Sequence, residues 1–177
     1  MDHFKLTDGI LHAEDVPLPT IAQEVGTPVY VYSRATLERH ARVFREGLGE
    51  LDNPLILFAV KANPNLAVLR VLQREGFGAD VVSGGELRRA LAAGMTPDKI
   101  VFSGVGKTRA ELELGLDTGI AQFNIESREE GRELAELAAA RGEKARCALR
   151  INPDVDAGTH EKISTGKADN KFGVPLH

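Results

Sequence analysis

Cysteine is almost missing from this 177-residue chain: Cys147 is the only one, which leaves no intrachain disulfide framework and no thiolate cage for a metal. A reducing cytoplasmic compartment is the expectation from that usage. Basic charge is also in short supply, with 22 Lys and Arg against 26 Asp and Glu, a net charge of -4 and a pI near 5.8. No Lys/Arg run interleaved with aromatics tracks along the chain, so nucleic acid is not an expected partner. The opening residues Met1 to Asp8 lack the apolar core of a signal peptide, and no segment approaches the length that spans a bilayer, so no membrane association is expected. No His/Cys/Asp/Glu set has metal-ligand spacing, and no serine has an evident base; metal and acyl-transfer chemistry are not expected.

What is present is an ordinary globular balance, 42% hydrophobic and 27% charged, sufficient for a real core. Residues 1–27 are turn-rich, interrupted by Pro17, Pro19 and Gly26, and are expected to be irregular with a short helix near Pro19 to Val25. Pro28 to Tyr32 reads as a strand. Ser33 reads as the N-cap of a helix running to about Gly47, with Leu37, Ala41, Phe44 and Leu48 on one face.

Leu55 to Val60 is an unbroken apolar run bounded by Pro54 and Asn63-Pro64, which predicts a buried parallel strand carrying Lys61 at its tip. An ammonium that loses hydration there is inclined toward its neutral, nucleophilic form, as Schiff-base chemistry requires. Lysines at strand ends usually snorkel to water, and spacing alone favours that reading. Beyond it the alternation is regular. Helices are predicted over Leu66 to Arg74, Gly84 to Ala93, Thr108 to Leu116 and Ser127 to Arg141; strands are predicted over Gly78 to Val82, Lys99 to Ser103, Ile120 to Asn124 and Ala145 to Ile151.

Strand-helix units repeating every twenty to twenty-five residues imply an α/β fold with a parallel sheet, either doubly wound or a (β/α)8 TIM-type barrel. The first strand of the series is not followed by G-x-G-x-x-G, which counts against a dinucleotide-binding doubly wound sheet. Polar residues gather just after strand ends, at Lys61, Asp80, Ser103, Asn124 and Arg150, where barrel enzymes build their sites. About five of eight barrel strands are accounted for, so the chain reads as part of a larger barrel. Residues 28–177 are expected to be the N-terminal part of that barrel, preceded by the segment 1–27.

Ser103 to Thr108 ends in Gly-Lys-Thr like a phosphate loop, but Val101 stands where the first glycine belongs, so the expectation is a glycine turn before a helix. Asp80, followed by Ser83-Gly84-Gly85-Glu86, either caps that helix or shares a site with Lys61. Arg150, in Arg150-Ile151-Asn152-Pro153, either holds an anion at the barrel mouth or makes a surface ion pair. His160 to Lys171 reads on chemistry alone as a polar loop.

These pieces, in this order, resemble the pyridoxal-phosphate-dependent decarboxylases with an alanine-racemase-like barrel. The resemblance rests on Gly26-Thr27-Pro28-Val29-Tyr30-Val31-Tyr32, Phe58-Ala59-Val60-Lys61-Ala62-Asn63 and Asp80 to Leu87. It continues through Phe102-Ser103-Gly104, Arg150 to Pro153, and His160-x-Lys162-Ile163-Ser164-Thr165-Gly166 through Lys171-Phe172-Gly173. It covers about Gly26 to the end, and the last tract is similar to that of the diaminopimelate decarboxylases. The resemblance implies pyridoxal 5'-phosphate as cofactor, Lys61 as its catalytic carrier, Asp80 and Arg150 beside it, and His160 as a substrate-loop candidate. It implies an amino-acid substrate, meso-diaminopimelate converted to L-lysine, and a homodimer for the complete enzyme.

It also implies that a histidine over the ring, the glycine turns on the phosphate, a glutamate on the pyridine nitrogen and a second, β domain belong to later segments. The strand at Pro28 to Tyr32 resembles one that pairs with that domain. The 177 residues alone are therefore expected to be inactive. Decarboxylases of ornithine, arginine or carboxynorspermidine, and a non-catalytic cofactor-binding or regulatory protein, remain as alternative readings.

Overall fold

The computed structural model describes residues 2–155 and 172–175. The chain opens with a three-stranded antiparallel meander, β1 (Phe4–Thr7), β2 (Ile10–Ala13) and β3 (Val16–Pro17). Pro17 then leads directly into α1 (Leu18–Val25). The irregular segment expected here is thus a small sheet plus the expected helix. Left-handed residues at Asp8 (φ 51°) and Glu14 (φ 55°) make the tight turns that the sequence pattern does not disclose. Glu14 ties this unit to α2 (Arg34–Gly47): its carboxylate accepts from Ser33 Oγ at 2.8 Å and from the Ala35 N–H at 2.9 Å. Ser33 in turn accepts from the Thr36 N–H at 3.0 Å, the predicted N-cap.

The strand expected over Pro28 to Tyr32 does not form. These residues pair with no strand among the described residues, and Tyr30 is 89% exposed. An extended segment becomes a strand only where a neighbouring backbone takes its N–H and C=O groups.

The remainder is a five-stranded parallel sheet, β4 (Leu57–Ala59), β5 (Gly78–Val81), β6 (Ile100–Phe102), β7 (Gln122–Ile125) and β8 (Cys147–Leu149), with strands in sequential order. Between them run α3 (Leu66–Arg74), α4 (Gly84–Ala92), α5 (Arg109–Thr118) and α6 (Arg128–Ala140). Each helix packs beside the next, from α2 to α6. A doubly wound sheet reverses its strand order once; this one never does, which is the arrangement of a barrel wall.

The core lies between sheet and helices. Ala79, Val81, Ile100, Phe102, Phe123 and Ile125 point from the strands toward Leu69, Leu87, Leu112, Leu134 and Leu137 of the helices. Fully burying a side chain such as Leu87, Leu112 or Phe102 contributes about 1.5–3 kcal/mol. Helix and sheet come close together at Gly115, where an added Cβ would stand 2.6 Å from the Phe123 ring.

The period of two along each strand turns Asp80, Gln122, Asn124 and Ala148 to the opposite, concave face. Leu57 to Ala59 are half-buried rather than fully buried as expected, because β4 is an edge strand with one neighbour. The strand predicted over Ala145 to Ile151 is divided. β8 ends at Leu149, Arg150 bonds through its N–H to the Ile125 carbonyl at 2.9 Å, and β9 (Ile151–Asn152) pairs in parallel with β10 (Val174–Pro175).

Candidate active site

Lys61 sits on a single 3-10 turn, Val60–Ala62, at the C-terminal end of β4. Val60 is fully buried and its carbonyl accepts from the Asn63 N–H at 3.0 Å, so the turn is anchored on both sides of the lysine. Asn63 and Asn65 continue the anchoring: Asn63 Oδ1 accepts from the Asn65 N–H, and Asn65 Oδ1 caps α3 at the Ala67 N–H, 2.8 Å away. Lys61 itself is exposed. The described residues do not supply the loss of hydration expected for it.

The five polar residues do come together, although only Lys61, Ser103 and Arg150 follow strand ends; Asp80 and Asn124 lie within β5 and β7. Lys61, Asp80, Ser103, Asn124 and Arg150 line one cavity of ≈ 470 Å³ at the C-terminal edge of the sheet. Across it runs a directed chain of hydrogen bonds. Gln122 Nε2 donates to Asn124 Oδ1 at 2.7 Å, Asn124 Nδ2 to Ser103 Oγ at 2.9 Å, and Ser103 Oγ to Asp80 Oδ1 at 2.5 Å. A charge-assisted O–H···O⁻ bond of that length is strong, and it sets which way the Asp80 carboxylate faces.

Asp80 is not the cap of α4. Ser83 takes that role, accepting from the Glu86 N–H at 3.2 Å, while Glu86 reaches back to the Val82 N–H at 2.8 Å. Of the two readings for Asp80, the cavity is therefore the one its position fits, although no ion pair joins it to Lys61.

Arg150 is more than a simple surface pair. Its Nη1 donates to both oxygens of Glu126, at 3.0 and 3.1 Å, and its guanidinium lies 4.9 Å from the centroid of the Phe172 ring. Reading the sequence does not single out Glu126. In Glu126-Ser127 before a helix it is one more acid near an N-terminus, and no local spacing reveals that its partner lies 24 residues on. Gln122, by contrast, could have been found, since it precedes Asn124 by two positions on one strand and so shares its face.

The Gly-Lys-Thr turn is explained without a phosphate. Gly104 (φ 106°) makes the turn, Thr108 caps α5 in a capping box with Glu111, and Lys107 points into the protein. Its Nζ donates to the carbonyls of Gly104 and Asn124, both at 2.8 Å, and to Glu130 Oε1 at 2.6 Å. All three donors of the ammonium are used. His160 lies outside the described residues.

The residues lining the cavity suit a pyridoxal group: an amine on an anchored turn, an oriented carboxylate, amide and hydroxyl donors, and a guanidinium, around a space of adequate volume. Among the described residues no helix is long and apolar enough to cross a membrane.

Comparison with known proteins gives the family. The chain is 56% identical over 173 residues to the diaminopimelate decarboxylase of Zymomonas mobilis, covering 97% of this chain and 41% of that protein. Among solved structures it is similar to the diaminopimelate decarboxylase of M. jannaschii in complex with L-lysine, with a TM-score of 0.86 and 38% identity over 98% of this chain and 41% of that one. It is likewise similar to the diaminopimelate decarboxylase of Helicobacter pylori complexed with L-lysine, with a TM-score of 0.83, 42% identity, and coverage of 89% and 40%. The chain thus spans about 40% of the length of the relatives it matches. Residues 34–177 match the pyridoxal binding domain of the pyridoxal-dependent decarboxylases, and the chain belongs to that family.

Proposed function

We propose that the protein containing this chain decarboxylates meso-diaminopimelate to L-lysine, using pyridoxal 5'-phosphate held at Lys61. The observation that carries the reading is the convergence of Lys61, Asp80, Ser103, Asn124 and Arg150 on one cavity at the C-terminal ends of parallel strands. Relatives named diaminopimelate decarboxylase, and neighbours complexed with L-lysine, support the choice of substrate. In the overall change the α-carboxylate leaves as carbon dioxide and one proton takes its place on the same carbon. When bound, the cofactor supplies an electron sink for the pair of electrons that the broken carbon–carbon bond leaves behind.

The protein's own groups do the rest. Lys61 Nζ is the point of covalent attachment and the proton carrier, and the anchored turn keeps it at the mouth of the cavity. The Asp80 carboxylate, oriented by Ser103 Oγ, is a negative charge on the cavity wall that favours protonated partners nearby. Arg150 is the cation on the wall that can meet an anionic oxygen. We further assign residues 1–27 to a segment preceding the barrel part at 28–177, and read the complete enzyme as a cytoplasmic homodimer. His160 remains the candidate for a substrate contact.

The test uses the complete gene product. It is incubated with pyridoxal phosphate, reduced with borohydride and digested, and the modified peptide is mapped. Labelling of Lys61, with lysine formation abolished in Lys61→Ala, is the expected result. A label elsewhere, or lysine formation surviving that substitution, overturns the reading. Release of carbon dioxide across ornithine, arginine, carboxynorspermidine and meso-diaminopimelate then tests the substrate, with the last expected to dominate.

A further inference from the structure

Glu126 is the residue at this site whose position calls for most explanation. It lies one residue beyond the end of β7, its side chain is 1% exposed, and it borders the same cavity as Lys61. Four donor contacts converge on its two oxygens. Arg150 Nη1 meets both, the Gly104 N–H reaches Oε1 at 3.1 Å, and the Gly173 N–H reaches Oε2 at 3.2 Å. Burying a carboxylate is costly, and a site retains one where its donors are all committed to it.

The geometry at Arg150 gives the commitment a purpose. One nitrogen is held by Glu126, and one face of the guanidinium is set against Phe172. A planar fork fixed at one corner and one face has little rotational freedom left. Its remaining N–H groups meet no other acceptor among the described residues, and Arg150 lines the cavity with Lys61 and Asp80. An unanchored arginine at a half-exposed position would spread over many rotamers and swing to water.

We propose that Glu126 is a positioning residue, which holds Arg150 through Nη1 so that the other edge of its guanidinium is presented to the cofactor and substrate beside Lys61. The same carboxylate joins the ends of β6 and β8 across β7 through Gly104 and Arg150, and holds the start of β10 through Gly173, so the cavity wall and its cation are set by one group. The inference rests on the function proposed above, and it predicts that the effect of Glu126 passes through Arg150.

The experiment is a double-mutant cycle in the complete holoenzyme, with Glu126→Gln, Arg150→Ala and both together. It reads the dissociation constant for pyridoxal phosphate, the absorbance of the bound cofactor against pH, and kcat and KM. Glu126→Gln is expected to weaken cofactor binding and lower kcat by about tenfold each, a coupling of about 1.4 kcal/mol, and to displace the pH profile of the absorbance. In the Arg150→Ala background the same substitution is expected to change none of these. Additive losses, or a lowered melting temperature with an unaltered absorbance profile and cofactor affinity, overturn the inference and leave Glu126 a structural residue. Where Glu126→Gln does not fold, Glu126→Asp serves; it keeps the charge but withdraws it by one methylene, and the same non-additivity is required. Failure of the wild-type protein to label at Lys61 defeats the function itself and is seen before any Glu126 variant is made.

Discussion

Lys107 Nζ lies 2.6 Å from Glu130 Oε1, and the two side chains are buried, at 0% and 8% exposure. The pair binds the turn after β6 to the first turn of α6, while the same ammonium also takes the carbonyl of Asn124 on β7. Removing one partner strands the other in a poorly solvated place. Lys107→Met is therefore expected to cost about 3–5 kcal/mol, measured by urea denaturation of the complete protein. Adding Glu130→Leu should recover part of the loss but not all, because the Gly104 and Asn124 carbonyls still lose a donor. Full recovery in the double variant would show that those two carbonyls contribute nothing.

Glu111 gives a pH-dependent prediction. Partial burial raises the pKa of its carboxyl, but the Gly84 and Thr108 N–H groups and the Thr108 hydroxyl more than offset this, leaving it below its ordinary 4.5. A carboxyl with a depressed folded-state pKa contributes stability above its unfolded value, and that contribution is lost as pH falls through the folded value. Glu111→Gln should lower stability by about 0.5–1 kcal/mol at pH 7, as expected for a weakened cap. The gap between variant and wild type should close as pH falls below 4.5. Thermal melts at a series of pH values check this, and a constant gap down to pH ~3 would contradict it.

Gly115 and Gly119 separate two reasons for glycine within one helix and its cap. At Gly115 a methyl group meets the Phe123 ring at 2.6 Å, so Gly115→Ala should cost about 1–3 kcal/mol by overpacking. At Gly119 (φ 72°) nothing lies within 4 Å, and only the left-handed backbone is affected; Gly119→Ala should cost about 1 kcal/mol. Denaturation of both variants should rank them in that order.

Ser103 is the link that connects Asp80 to the amides of Asn124 and Gln122. Ser103→Ala leaves the carboxylate without its donor and the Asn124 amide without its acceptor. A lost hydrogen bond to a charged group is worth about 1.5–3 kcal/mol, so affinity for pyridoxal phosphate should fall by about tenfold or more. Equilibrium titration of the complete apo-protein measures it, and an unchanged affinity would show that Asp80 does not depend on Ser103 for its orientation.

How much of this was legible beforehand follows from how far apart the interacting residues lie. The helix over Leu66–Arg74 and the cap at Ser33 agree with the pattern because a helix and its cap involve residues three or four positions apart. Lys61, Asp80, Ser103, Asn124 and Arg150 were each legible as polar residues at strand ends for the same local reason. The strand expected at Pro28 to Tyr32 failed because strand formation needs a partner that no local pattern contains. The meander before α1 is illegible in the pattern because its strands are only two to four residues long.

The sequence by itself determined the alternation of strand and helix, the turn chemistry between them and the lysine at the tip of an apolar run, since these depend on neighbours along the chain. Tertiary structure alone decided that the strands lie in unbroken order, that one face carries the core and the other the cavity, and that Glu126 meets Arg150 while Lys107 meets Glu130. Those pairs are separated by 24 and 23 residues, one strand-helix unit each. Only the parallel stacking of successive units brings such positions to the same level of the sheet.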